Sequence, residues 1–214
     1  MSKGKFIVFE GLDGSGKTTQ IQLLQQELAQ LDISIFQTKQ PTDFVRQSAI
    51  FRTFMDMPNH DAYDYRSLSL LAASDRVQHC NRVIMPQLAE GNIVISDRYY
   101  YCCLANLRAR GYSNDKWIYE IAESVPKPDF AFFLDIDVDT AIKRVRSRPS
   151  ERERYIDIDL QHKLRAEFLE IAKMNGGIVL PSTETPKVLA EKVKHVVLQR
   201  LSVKGDGTLC YATT

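Results

Sequence analysis

Residues 11 to 18 read Gly-Leu-Asp-Gly-Ser-Gly-Lys-Thr, a complete GxxxxGK[ST] pattern. It stands between an apolar run, "KFIVF", and "IQLLQQELAQL", whose apolar residues recur at helical spacing. Few folds accommodate this order: a strand must end, a glycine-rich loop must turn, and a helix must begin at once. Glycines admit backbone conformations closed to other residues, so successive N–H groups can converge on an anion. The helix that follows turns its positive end toward the same point. The stretch therefore reads as a phosphate cradle made of Gly11, Leu12, Asp13, Gly14, Ser15, Gly16, Lys17, Thr18 and Thr19. Lys17 is placed to reach the terminal phosphates of a nucleotide, and the Thr18 hydroxyl to ligate Mg2+.

The rest of the chain alternates strand-like and helical segments. Strands are expected at 5–10, 33–38, 92–97, 128–136 and 177–182. Between them lie a helix through Leu31, a short helix in "SAIFRTFMDM", and one long helix from Tyr65, kinked by Pro86 and ended by Gly91. Two helical segments follow the third strand, "VDTAIKRVRSR" follows the fourth, and a last helix runs from Pro186 to about Val203. Strands joined by helices imply right-handed crossovers and a parallel sheet covered on both faces. The expected fold is an α/β three-layer sandwich of the P-loop NTPase type, with a five-stranded parallel sheet. Ligands of such sheets bind at the carboxyl ends of the strands. The glycine loop, Gln40 and Pro41, and Asp97 and Arg98 follow the first three strands at that edge.

With 214 residues the chain is long enough for one well-buried core, and no repeat or linker divides it. Residues 1–204 are expected to form one domain, with a lid at about 147–157, and 205–214 a flexible tail. The 28 basic and 27 acidic side chains leave a formal charge of +1, which gives no general field for nucleic acid polymers or acidic membranes. Phosphate recognition must be local. Cys80, Cys102, Cys103 and Cys210 show no metal-ligand spacing and read as small apolar side chains in a reducing cytosol. No apolar run approaches the ~20 residues of a membrane span, and the N-terminus lacks a signal-peptide core, so a soluble cytoplasmic protein is expected.

A P-loop alone does not separate kinases from GTPases, ATPases and motors. No guanine-reading NKxD motif and no ABC-type signature occurs, and the chain is short for a motor or helicase core. Asp13 sets a carboxylate inside a phosphate loop, where it must receive a proton or bind a hydroxyl. "SRPSERER" brings Arg148, Arg152 and Arg154 into a connection between helices. Such a stretch can be a solvated hinge; beside a P-loop it reads as a catalytic lid that folds over the nucleotide.

From about Lys5 to Val197 the sequence resembles the thymidylate kinase family of nucleoside monophosphate kinases. The resemblance rests on "FEGLDGSGKTTQ", "SDRVQH", "EGNIVISDRY" and "KPDFAFFLDIDVDTAIKRV". It implies ATP-dependent phosphorylation of dTMP to dTDP with Mg2+, and a homodimer formed through long helices, for which the run from Leu68 to Val83 is the candidate. By the resemblance, Lys17 holds donor phosphates, Thr18 and Asp97 serve the metal, and Arg98 clamps the acceptor phosphate. Asp13 takes the sugar 3′-hydroxyl, Arg76 faces the acceptor base, and one of Arg148, Arg152 and Arg154 supplies transition-state charge.

The acceptor pocket departs from the family. Ala72 stands where a phenylalanine usually stacks on thymine, and Cys102, Cys103 and Asn106 replace a serine, a variable small or polar residue and an aromatic beside the sugar. "KQPTD" around Pro41 lacks the usual arginine and acid. The expected acceptor-binding set is Asp13, Pro41, Ala72, Arg76, Arg98, Cys103 and Asn106. Weaker discrimination between bases and between sugars is therefore expected; Tyr100, Tyr101, Phe44 and Tyr65 are the rings that could stand in, and the Asn106 amide is open to a 2′-hydroxyl. Alternatives to dTMP are another nucleotide or phosphorylated acceptor, or a nucleotide-binding sensor or scaffold without turnover.

Overall fold

The computed structural model describes residues 4–201. Five strands, β1 (Lys5–Glu10), β2 (Ile35–Lys39), β3 (Ile93–Asp97), β4 (Phe130–Asp135) and β5 (Ile178–Pro181), form one sheet in the order β2-β3-β1-β4-β5. Every pairing is parallel. The register sets Phe9 and Lys39 opposite Asp97, and Glu10 opposite Phe133, so the strands end on one edge. The chain leaves β1 toward β2 and later crosses to β4 on the other side, which opens a crevice at the carboxyl end of β1.

Alternation along the strands builds two cores. Phe6, Val8, Val94 and Phe133 face one way; they pack under α4 (Tyr65–His79), α6 (Tyr100–Ala109) and α9 (Ile158–Met174). Ile7, Phe9, Ile95 and Phe132 face the other, under α1 (Lys17–Ala29) and α10 (Pro186–Leu201). The result is the expected α/β three-layer sandwich. Shorter helices complete it: α2 (Asp43–Arg46), α3 (Ala49–Asp56), α5 (Met85–Ala89), α7 (Trp117–Glu123) and α8 (Val138–Arg146). The single turn α2 follows Pro41, and Arg46 Nε at its end donates to the Pro41 carbonyl at 2.7 Å.

The long helix expected from Tyr65 to Gly91 is continuous but not uniform. A π-helical turn, Cys80–Ile84, joins α4 to α5 immediately before Pro86. Proline lacks an N–H and its ring clashes with the carbonyl four residues back, so the ladder widens there instead of breaking. Gly91, at φ +89°, ends the helix, with Asn92 N–H returning to the Gln87 carbonyl at 3.1 Å. The connection after α8 carries one 3-10 turn, Pro149–Glu151, and α9 begins at an Asp157 side chain that accepts from Leu160 N–H at 3.0 Å. The expected tail, 205–214, and Cys210 lie outside the described residues.

Candidate active site

The glycine loop closes because two positions can take no side chain. Gly11 has φ +132°, and a Cβ there would meet the Leu134 carbonyl oxygen at 2.5 Å. At Gly14, φ +86°, the Ala141 carbonyl oxygen would be 2.3 Å away. The loop is thus pressed against β4 and α8. Helix α1 begins after Gly16 with no side-chain cap, so its first N–H groups are left for an anion. Lys17 is buried; its Nζ lies 3.1 Å from the Gly11 carbonyl oxygen and 2.8 Å from that of Leu12. Burial and the neighbouring Arg98 push the Lys17 ammonium down to about 8, against the opposing pull of Asp13, Asp97 and Glu10. Thr18 and Thr19 are exposed at the mouth of the loop.

Arg98 is held in a left-handed backbone conformation, φ +70°, which costs a residue with a side chain about 1–3 kcal/mol. Three bonds impose it. Its own N–H donates to the Phe9 carbonyl at 2.9 Å, its carbonyl accepts from Ser96 Oγ at 2.7 Å, and the next N–H, of Tyr99, donates to Glu10 Oε1 at 2.7 Å. The turn throws the guanidinium back over the glycine loop, onto the Gly11 carbonyl at 3.2 Å and Asp13 Oδ1 at 2.5 Å.

Asp13 answers the difficulty of an acid in a phosphate loop by ion pairing. Its second oxygen accepts from Arg154 Nη2 at 2.9 Å. Burial opposes its ionisation, but Arg98, Lys17 and Arg154 overcome this and hold the carboxyl well below the usual range. Arg154 also pairs with Glu151 at 3.1 Å. Of the three lid arginines it alone enters the site; Arg148 and Arg152 are exposed.

Glu10 is fully buried at the end of β1, and its Oε2 has no hydrogen-bond partner among the described residues. Burial pushes its carboxyl up to about 7, with Arg98, the Tyr99 N–H and Lys17 opposing the rise. An acid closing an apolar strand was visible in the sequence, yet its role behind Arg98 was not. Arg144 was also missed: its guanidinium lies 3.4 Å from the Gly14 carbonyl oxygen and 3.0 Å from that of Ser182. Nothing in "KRVRSR" sets it apart from the arginines beside it.

A metal site is consistent with one detail of the loop. Thr18 Oγ1 is 3.5 Å from Asp97 Oδ2, and Asp97 Oδ1 is buried without a hydrogen-bond partner among the described residues. A hydroxyl and a carboxylate oxygen beside a phosphate cradle are the hard donors Mg2+ takes, alongside phosphates and water.

A cavity of about 300 Å3 adjoins the loop, and Asp13, Pro41, Ala72, Arg76, Arg98, Cys103 and Asn106 all line it. Ala72 and Arg76 come from α4, Cys103 and Asn106 from α6. Arg76 is 1% exposed and donates from Nε to Gln40 Oε1 at 2.9 Å and from Nη2 to the Tyr99 carbonyl at 3.3 Å. Of the four candidate replacement rings, Tyr65 lines the cavity. Phe44 is 72% exposed and outside it, while the tilted rings of Tyr100 and Tyr101 pack on one another and toward Tyr99 and Phe133. Phe51 and Phe54 of α3 line it as well. Asn106 does not present a free amide: Nδ2 donates to the Cys102 carbonyl at 2.8 Å, and Oδ1 accepts from Arg110 at 2.6 Å. That bond helps to hold the Arg110 guanidinium 3.8 Å above the Tyr65 ring. Cys80, Cys102 and Cys103 are free, buried thiols, with burial pushing Cys102 up to about 12.

Comparison with known proteins agrees with this geometry. The sequence model of the family "Thymidylate kinase" matches residues 9–193. A "Probable thymidylate kinase" of Pyrococcus horikoshii is 37% identical over 174 residues, covering 80% of this chain and 84% of that protein. The "Thymidylate kinase" of Trichodesmium erythraeum is 32% identical over 221 aligned residues, covering 92% and 96%, and that of Prochlorococcus marinus 38% over 161, covering 70% and 75%. With the phosphate loop, the Arg98 turn and the adjoining cavity in one crevice, the match over most of its length makes this chain a member of the thymidylate kinase family, ATP-dependent phosphotransferases acting on dTMP.

Proposed function

We propose that the chain transfers the γ-phosphoryl group of ATP to the phosphate of dTMP, giving ADP and dTDP. The observation that carries this reading is Asp13, which joins the donor loop, the Arg98 turn and the lid arginine Arg154 at the rim of the acceptor cavity. The β–γ bond of ATP breaks as an oxygen of the acceptor phosphate bonds to the same phosphorus. Little covalent help is required, so positioning and charge neutralisation supply the rate.

Each residue then has a physical task. The N–H groups of residues 11–19 and the start of α1 hold the donor phosphates, and Lys17 neutralises charge at their end. Arg98 grips the acceptor phosphate with a planar fork suited to it. Arg154 exchanges Asp13 for the transferring phosphoryl, which frees Asp13 to accept the acceptor's sugar hydroxyl. Arg148 and Arg152 flank that lid. Thr18 and Asp97 would hold Mg2+, which would supply charge neutralisation at the donor phosphates. Pro41, Ala72, Arg76, Cys103 and Asn106 form the wall facing the acceptor.

Among the described residues no helix is long and apolar enough to cross a membrane. Within the run from Leu68 to Val83, Leu70 leaves apolar surface, 50% exposed, and we assign that helix to a homodimer contact. Acceptor-dependent release of ADP, measured over a panel of nucleoside monophosphates, tests the function. Release with dTMP is expected. ATP turnover indifferent to every acceptor would leave a nucleotide-binding protein without kinase activity.

A further inference from the structure

Among the described residues no carboxylate is hydrogen-bonded to the buried guanidinium of Arg76; its bonds go to neutral groups, chiefly the side chain of Gln40. Gln40 is fully buried and connects onward. Its Nε2 lies 2.9 Å from His79 Nδ1 and 3.8 Å from Cys80 Sγ, and His79 Nε2 lies 2.9 Å from Thr38 Oγ1. Thr38 and Gln40 come from the end of β2 and the turn after it; Arg76 and His79 share α4, one turn apart.

Donor and acceptor chemistry settles every proton in this chain. Arg76 Nε–H can only donate, so the oxygen of the Gln40 amide must face it. The Gln40 nitrogen therefore faces His79, and an amide nitrogen can only donate. His79 Nδ1 must accept, which leaves the ring neutral with its proton on Nε2, donating to Thr38. A second proton, on Nδ1, would set donor against donor at Gln40. Turning the amide over to relieve that clash would set its NH2 against Arg76 Nε–H.

We propose that His79 is a positioning residue for the acceptor pocket, fixing through the Gln40 amide the place and orientation of the Arg76 guanidinium. The proposal rests on the reading of Arg76 as an acceptor-facing residue. Its consequence is that acid loosens the acceptor site and leaves the donor loop alone. Burial depresses the imidazole below its ordinary range; Asp75 opposes that and Arg76 adds to it. Asp75 is itself engaged with Thr42, whose N–H it accepts at 2.8 Å. The other groups facing the ring, Thr38, Gln40 and the Cys80 thiol beyond the amide, are neutral.

The test is steady-state kinetics between pH 5.5 and 8 on the wild type, His79→Leu, His79→Asn and Arg76→Met. His79→Leu removes the acceptor facing Gln40 and is expected to raise the KM for dTMP about tenfold at pH 7.5. The KM for ATP should stay within about twofold. His79→Asn places an amide oxygen where Nδ1 stood and cannot titrate. It should recover most of the dTMP affinity and show a shallower acid rise in KM than the wild type, since ionisation of the dTMP phosphate is common to all variants. An unchanged dTMP KM in His79→Leu, a parallel rise for ATP, or an acid rise in His79→Asn equal to that of the wild type overturns the proposal. If Arg76→Met raises the dTMP KM and the His79 variants do not, the relay alone fails. If Arg76→Met changes nothing, the assignment of Arg76 fails and the relay with it. The wild type and His79→Asn decide the matter should His79→Leu not fold.

Discussion

Arg154 and Asp13, 141 positions apart in sequence, are joined at 2.9 Å. This contact brings the connection after α8 down onto the phosphate loop, and it gives the lid a specific partner instead of a general attraction. Because Asp13 holds Arg98 with its other oxygen, one carboxylate links the lid, the loop and the turn after β3.

The lid arginines should separate in a mutational series. Arg154→Ala is expected to lower kcat by about 10³, the scale of an arginine finger, with a much smaller change in the KM for ATP. Arg148→Ala and Arg152→Ala should each lose less than about tenfold, because both side chains are exposed. Steady-state kinetics on the three variants checks this. A loss below tenfold in all three would make the segment a solvated hinge.

Lys17 should show itself in the alkaline limb. Its ammonium is pushed down to about 8 by burial and by Arg98, so kcat/KM for ATP, which reports the free enzyme, should fall as pH rises through that value. Lys17→Arg, charged throughout, should flatten the limb even if its activity is low. Lys17→Ala should lose about 10³ in rate while its circular dichroism and thermal midpoint stay near those of the wild type.

Glu10 links stability to pH with a definite sign. Its folded-state value is raised from 4.5 to about 7, so between these values the folded protein binds the proton that the unfolded chain has lost. Stability from this group is present below about 4.5 and is lost as pH rises toward 7, on the order of 3 kcal/mol in all. Glu10→Gln abolishes the titration. Denaturant unfolding should therefore favour the variant over the wild type by more at pH 8 than at pH 5. An equal difference at both values would remove Glu10 as the source.

The division between what could and could not be read from the sequence follows the range of the interactions. The five strands and the loop were legible because short apolar runs and glycine conformations are local properties. The places of Lys17, Thr18, Asp97 and Arg98 at the carboxyl edge of the sheet were legible because each directly follows or ends a strand or opens a helix. The choice of Arg154 over its two neighbours was not, since it depends on Asp13, far away in the chain. Nor was the engagement of Asn106, whose amide is taken up by Cys102 and Arg110. Local chemistry predicts a free amide; packing between α4 and α6, with Arg110 laid on Tyr65, uses it. The π turn before Pro86 belongs to the same class, because proline predicts a disturbance and the surrounding core decides its form.

Acceptor recognition should be relaxed at the base. Ala72 gives no stacking face on the cavity wall, and both ends of the Asn106 amide are engaged, so the difference from a typical family member lies in the base more than in the sugar. Stacking on an aromatic ring is worth about 1–3 kcal/mol per base. Ala72→Phe should accordingly lower the KM for dTMP by at least about fivefold and sharpen its preference over dUMP, dCMP and dGMP. An unchanged KM would mean that Tyr65 or Phe54 already supplies the face.

The destination of the γ-phosphoryl group tests this site most directly. Incubation with γ-labelled ATP, Mg2+ and dTMP, followed by chromatographic separation of the products, should place the label in dTDP. Arg98→Ala should lower that yield by about a hundredfold or more. Label found in inorganic phosphate alone, with none in dTDP or in the diphosphate of any other acceptor, would contradict the assignment of this site to phosphoryl transfer.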